Sequence, residues 1–266
     1  MLAHRMFGGA NAALGLLFFA MTAASLYGAF YLQGARGFSP LEAGLAFSPA
    51  AFGSIVGAPL GVRLVRRWSL RAVTATAQTT AGLAMGSLAF FGLHTPLVWN
   101  EIVYLVQGLS IGMVIGPVTA ALMSTLPLER AGAGSAVTNT VRQTGSLLGI
   151  AVGGTVMSIA YRRGIEASLH DVPGPVQDQA RVSAEQARHA ATAIHQPALA
   201  HAADDAFIHA MHVSAVWTML IALSGAVLLA TALRPTRKPT EPGEPTMDNA
   251  PISERSQGSQ SINLQS

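Results

Sequence analysis

The chain of 266 residues has no cysteine, which excludes disulfides and thiolate metal ligands and leaves the compartment undetermined. Charge is scarce as well. Only 11% of residues are Asp, Glu, Lys or Arg, against about 25% in an average soluble domain. Half the residues are hydrophobic and the mean hydropathy is +0.41, so the composition is that of a membrane protein. Lysine occurs once, beside fifteen arginines. The basic pI of 9.8 invites a nucleic-acid reading. That reading fails because the net charge is only +3 and the arginines gather at the ends of apolar runs. No phosphate-binding P-loop is present, which removes the basis for a nucleotide-driven pump.

Six runs are long and apolar enough to cross a bilayer, a task that takes about 20 residues. They cover Gly8–Gln33, Pro40–Val62, Ala72–Leu93, Pro96–Leu126, Ser135–Tyr161 and Phe207–Leu233. The expected fold is an all-α membrane protein, a six-transmembrane-helix bundle over residues 1–233. "SPLE" at Ser39–Glu42 carries a serine cap, a proline at the first helical position and a glutamate at the third, the signature of a capping box. Thr95–Pro96 repeats the cap-then-proline pattern, and Ser69 can cap the third helix. "MLAHR" resembles the charged start of a signal peptide. However, the apolar run continues to Leu32, beyond the 7–15 residues of such a core.

The loops set an expected orientation. Arg63, Arg66, Arg67 and Arg71 follow the second run, Arg130 follows the fourth, and "RPTRK" opens the tail. The alternate short loops hold only Arg36. The positive-inside rule places both termini in the cytoplasm. Residues 162–206 then form a long extracytoplasmic loop, whose stretch from Val176 to His195 reads as one surface helix. Residues 234–266, rich in Pro, Ser, Glu and Gln, read as a disordered cytoplasmic tail.

The fifth run holds an arginine. Steps of three and four from Gly132 meet Ser135, Asn139, Arg142, Ser146, Gly149 and Gly153, all small or polar. Val137, Val141, Thr144, Leu148, Ala151, Thr155 and Ile159 form the opposite stripe. The periodicity predicts that Arg142 faces protein or a watery cavity rather than lipid. It lies about 10 Å inward from Ser135 at the helical rise per residue. A charge there is either a packing and anchoring residue or part of a gate or substrate path, with Asn139 and Gln143 beside it. None of the thirteen acids lies mid-membrane to pair with it.

Other patterns are weaker. Gly108, Gly112, Gly116, Ala120 and Ser124 recur every four residues, with Pro117 next to Gly116, so the fourth helix is either tightly packed or a bendable gate. Gly53, Gly57 and Gly61 repeat the theme in the second helix. "GLSIG" at Gly108–Gly112 matches a nucleophile elbow, but that chemistry needs a strand–turn–helix setting, so no catalytic residue is assigned. Asp205, His209 and His212 share a helix face, and exposed histidines at the start of a helix are the commoner case than a metal site. No metal and no cofactor is expected.

"YLQGARGFSPLEAGLAFSPAAFGSIVGAPLGVRLVRRW" (Tyr31–Trp68) resembles the second half of bacterial major facilitator transporters. "ERAGAGSAVTNTVRQTGSLLGIAVGG" (Glu129–Gly154) and "AFIHAMHVSAVWTMLIALSGAVLL" (Ala206–Leu229) are similar to late helices of the fourteen-helix drug:proton antiporters, the EmrB/QacA group. "GAPLGVRLVRR" is similar to that family's Gly/Arg-rich cytoplasmic loop motif, here Gly57, Gly61, Arg63, Arg66 and Arg67, without the aspartate of the fuller version. The resemblance implies a C-terminal half of a proton-driven multidrug exporter in a bacterial plasma membrane. It implies membrane lipid, a small-molecule substrate and a missing N-terminal half or second membrane subunit as partners, and no nucleic acid. The alternative is a non-transporting membrane protein that binds or regulates another transporter.

Overall fold

The computed structural model describes residues 2–124, 126–170 and 172–233, and among these the regular structure is entirely helical. The tail expected to be disordered, residues 234–266, lies outside the described residues. Helix α1 (Leu2–Ala29) runs into a π-helical turn (Phe30–Ala35), and Gly37, at φ 71°, takes the left-handed conformation that lets the chain reverse. Helix α2 (Pro40–Arg67) starts on the expected capping box. The Glu42 N–H donates to the Ser39 hydroxyl at 3.3 Å, and the Ser39 N–H donates to the Glu42 carboxylate at 2.8 Å. Ser69 caps α3 (Leu70–Ser87) by accepting from the Ala72 N–H at 3.1 Å. The hydroxyl of Thr95 accepts from the Gly92 N–H, closing the turn before α4 (Leu97–Ser124). Then come α5 (Ala131–Glu166), two short helices, α6 (Gly174–Val182) and α7 (Ala184–Ala193), and α8 (Pro197–Ala232).

Five helices, not six, are long and apolar enough to cross a membrane among the described residues. The chain is thus a multi-pass membrane protein. The exception is α3, expected over Ala72–Leu93 as a span. It has 18 residues, and Thr74, Thr76, Gln78, Thr79 and Thr80 lower its hydropathy. It is nevertheless central, packed between α4 and α8. Thr74 and Gln78 are fully buried, and the Gln78 amide donates to the Ala222 carbonyl of α8 at 3.3 Å.

Two other expectations are corrected in extent. The fifth and sixth runs extend well past their apolar parts, to 36-residue helices each. Such a helix is about 54 Å long, against a hydrocarbon core of about 30 Å. The stretch from Val176 to His195 is not one helix. Ser183 interrupts it with an extended backbone and caps α7 by accepting from the Gln186 N–H at 3.2 Å. This segment is fastened down: Arg188 of α7 pairs with Asp204 of α8 at 2.6 Å and donates to the Gly34 carbonyl, while the Tyr161 hydroxyl donates to the Ala180 carbonyl at 2.9 Å.

The packing order is α2 on α4, α4 on α3, α3 on α8, α8 on α1 and α5, and α5 on α1. Two glycine seams make the closest approaches. A Cβ on Gly108 would overlap the Ala50 carbonyl, and one on Gly57 would overlap the Leu109 carbonyl, so α2 and α4 meet backbone to backbone. Gly145 and Gly149 of α5 meet the Gly15 and Phe19 carbonyls of α1 in the same way.

Candidate functional site

The seam between α1 and α5 decides where Arg142 goes. The row Val141, Gly145, Gly149, Gly153 is the one that meets α1, because glycines at every fourth position let the backbones touch. This row is turned from the stripe expected from the sequence. Gly149 and Gly153 belong to both, but Gly132, Ser135 and Asn139 are exposed. Arg142 lies at the edge of the contact row, three residues before Gly145. Its guanidinium stacks over the Phe18 ring of α1, 4.4 Å from the centroid. Its Nε is buried and has no hydrogen-bond partner among the described residues.

Arg142 opens onto a cavity of about 340 Å³ lined by four helices. Phe18, Met21, Ala24 and Ser25 come from α1, and Phe47, Ala50, Ala51 and Ser54 from α2. Tyr104, Gln107, Gly108, Ile111 and Ile115 come from α4, and Arg142 alone from α5. The Phe47 and Tyr104 rings are 4.8 Å apart and tilted by 38°. Tyr104 is 3% exposed, and its hydroxyl has no partner among the described residues. Ser25 and Ser54 donate to the carbonyls of Met21 and Ala51 on their own helices. No carboxylate lines this cavity. Its fixed charge is therefore positive, carried by Arg142 on aromatic and aliphatic walls, with Tyr104 and Gln107 as further donors and the Ser25 and Ser54 oxygens and the Gln107 carbonyl as neutral acceptors.

Of the residues singled out in the sequence, the structure brings Arg142 and Gly108 together here. Gln143 and Asn139 are exposed on α5 and do not line the cavity. Gly112 packs on Ser54 and Ala58, and a Cβ on Gly116 would stand 3.7 Å from Ala58. Pro117 is buried, and α4 runs through it as one helix from Leu97 to Ser124. Gly57 and Gly61 are buried against Leu109 and Met113. Arg63, Arg66 and Arg67, expected in a loop, are exposed on the last turns of α2, where cations complement the helix C-terminus; only Trp68 and Ser69 separate α2 from α3. Ser110 of the "GLSIG" match is buried inside α4. Asp205 and His209 are exposed, whereas His212 bonds through Nε2 to the Phe91 carbonyl at 2.7 Å, tying α8 to the turn after α3.

Sequence reasoning missed Tyr104, Gln107, Phe18 and Phe47. A signal for two of them was present: Asn100, Tyr104 and Gln107 fall at i, i+4 and i+7, a buried polar stripe in an otherwise apolar helix.

Comparison with known proteins places this arrangement. The family model described as Major Facilitator Superfamily matches residues 3–150, which include α1 to α4, the start of α5 and every residue lining the Arg142 cavity. The chain belongs to the major facilitator superfamily. Among superfamily relatives, methyl viologen resistance protein SmvA of Salmonella typhimurium is 31% identical over 214 residues, covering 76% of this chain and 40% of the relative. Puromycin resistance protein pur8 of Streptomyces alboniger is 33% identical over 158 residues, 58% of this chain and 31% of the relative. The tetracenomycin C resistance and export protein of Streptomyces glaucescens is 24% identical over 248 residues, 89% of this chain and 45% of the relative. The chain thus spans less than half the length of each of these relatives.

Proposed function

We propose that this chain supplies the C-terminal half of a proton-driven major facilitator exporter of small, amphipathic molecules, of the fourteen-helix EmrB/QacA type. In this reading the transporter is completed by an N-terminal half or a second membrane subunit. The observation that supports it is the Arg142 cavity. It is built from four helices, and two of them, α2 and α5, are the least buried of the five candidate spans. Their exposed faces carry Asn139, Gln143 and Ser48 as well as apolar side chains. A face of that kind suits another protein surface across a substrate path better than lipid. The names of the relatives, which refer to resistance and export, point to efflux rather than catalysis.

In the same reading α3, short as it is, crosses the bilayer as the sixth span, with its Thr hydroxyls donating to carbonyls of their own helix and the Gln78 amide donating to the Ala222 carbonyl. The arginines at the end of α2 and at Arg130 lie on the cytoplasmic side, and so do both termini, in a bacterial plasma membrane. Proton coupling falls to carboxylates outside this chain, because the cavity offers none. The test is reconstitution. Vesicles holding the chain alone should show no substrate flux under a pH gradient, and co-reconstitution with a matching N-terminal half should restore it. Robust flux from the chain alone would overturn the half-transporter reading. The alternative, a membrane protein that binds another transporter without transporting, would show no flux in either arrangement.

A further inference from the structure

We propose that the Arg142 cavity selects a flat aromatic molecule bearing a carboxylate or another strong hydrogen-bond acceptor, and discriminates against the same ring system bearing a cation. The inference rests on reading the cavity as part of the substrate path. It adds a charge preference for this site, and one opposite to the charge of methyl viologen, the aromatic dication for which the relative SmvA is named.

The argument is a count of donors against acceptors. Arg142 brings a permanent charge and only donors. One face of its guanidinium lies on the Phe18 ring, so its in-plane N–H groups remain the route to a ligand. Its buried Nε is unpartnered among the described residues. Tyr104 brings a second unpartnered donor, at 3% exposure, beside the Phe47 ring. Gln107 can give or accept, and the Ser25 and Ser54 oxygens, whose hydrogens go to their own helices, are weak neutral acceptors. Against the permanent positive charge stands no carboxylate in the lining. A buried donor left unsatisfied is costly, and a buried charge more so. A ligand that supplies acceptors removes that cost, whereas an ammonium ligand adds like-charge repulsion to Arg142 and finds no counter-ion among these lining residues. The aromatic rings of Phe18, Phe47 and Tyr104 suit a planar hydrocarbon body, and a volume of about 340 Å³ accommodates two fused rings.

The experiment uses three probes of one shape: 2-naphthoate, 2-naphthamide and 2-naphthylmethylammonium. Each is measured by equilibrium dialysis against the full chain in neutral-lipid nanodiscs, with empty nanodiscs as the blank. Naphthoate should bind at least about tenfold more tightly than the ammonium probe, which is about 1.4 kcal/mol. Arg142→Gln should bring naphthoate down to the level of the amide, and Arg142→Lys, which keeps the charge without the planar fork, should keep part of the difference. Tyr104→Phe should weaken naphthoate and amide together, since both present an acceptor to that hydroxyl. Equal or tighter binding of the ammonium probe would overturn the proposal and leave the exporter reading standing. So would a naphthoate preference that survives Arg142→Gln, because the selectivity would then come from elsewhere. Absence of specific binding by all three would overturn it as well. A clear naphthoate preference in a protein that exports nothing with any partner would do the reverse, sustaining the site and removing the exporter.

Discussion

Alanine substitutions along one glycine row of α4 test the packing that shapes the cavity. Gly108, Gly112 and Gly116 lie at equal spacing on one helix face, so sequence alone treats them alike. The structure does not. A Cβ on Gly108 or Gly112 would overlap a backbone carbonyl of α2, at Ala50 and Ser54 respectively. A Cβ on Gly116 would stand 3.7 Å from the nearest atom of Ala58, an ordinary contact. The obstacle at the first two positions is backbone, which no rotamer change relieves, so the helices must part. Overpacking of this kind costs about 1–3 kcal/mol. At Gly116 that cost is absent, and the helix-propensity advantage of alanine over glycine, about 0.8–1.0 kcal/mol, is left. Gly108→Ala and Gly112→Ala should therefore lower stability by up to roughly 2 kcal/mol after the propensity gain is subtracted. Gly116→Ala should be neutral or slightly stabilising. Reversible unfolding in mixed detergent–SDS micelles, followed by helical circular dichroism, reads the three variants on one scale. If Gly116→Ala were as damaging as Gly108→Ala, the α2–α4 seam would not diverge as described, and the cavity beside it would need redrawing.

Further tests address topology, the arginine and the capping segment. In this cysteine-free chain, Ala193→Cys should be labelled by an impermeant thiol reagent in intact cells and Arg67→Cys should be spared; the opposite pattern would reverse the orientation. In a complete two-half transporter, Arg142→Ala should impair export at normal membrane abundance, with Arg142→Lys recovering only part, and undiminished export by the alanine variant would make Arg142 an anchor. Arg188→Gln should loosen the segment over α6 and α7, since it removes the Asp204 ion pair and a charged hydrogen bond to the Gly34 carbonyl. Hydrogen bonds to charged groups are worth about 1.5–3 kcal/mol. Faster limited proteolysis between residues 174 and 196 would report the loosening, and an unchanged rate would show that the Tyr161–Ala180 bond suffices.

Much of the architecture was legible because bilayer physics writes it in composition. Apolar runs, a serine–proline–glutamate start and a scarcity of charge located α1, α2, α4, α5 and α8, and the capping box at Ser39 formed as its residues require. What was not legible depended on neighbours. The C-terminal end of α5 and the N-terminal end of α8 are polar, so hydropathy could not reveal that the helices continue beyond the membrane-spanning length. The break at Ser183 lies between two helix-favouring stretches, and a lone serine reads as well inside a helix as at its cap. The site was harder still. Tyr104 and Gln107 belong to α4, Phe18 to α1 and Arg142 to α5, and no spacing within one helix states that these three surfaces meet.

The rotation of α5 shows why. Periodicity separated a small and polar half of the helix from an apolar half, and Gly149 and Gly153 fell on the first beside Asn139 and Arg142. Packing then divided that half again. Close approach to α1 needs residues without side chains, so Gly145 and Gly149 took the contact, and Asn139 and Gln143 were carried outward by the same geometry. Arg142 could do neither. It is too large for the seam, and too costly to leave in lipid. The remaining place is the border between the two, stacked on Phe18 and opening onto the cavity. Its position thus follows from the glycines beside it: replacing Gly145 or Gly149 would displace the arginine without touching it.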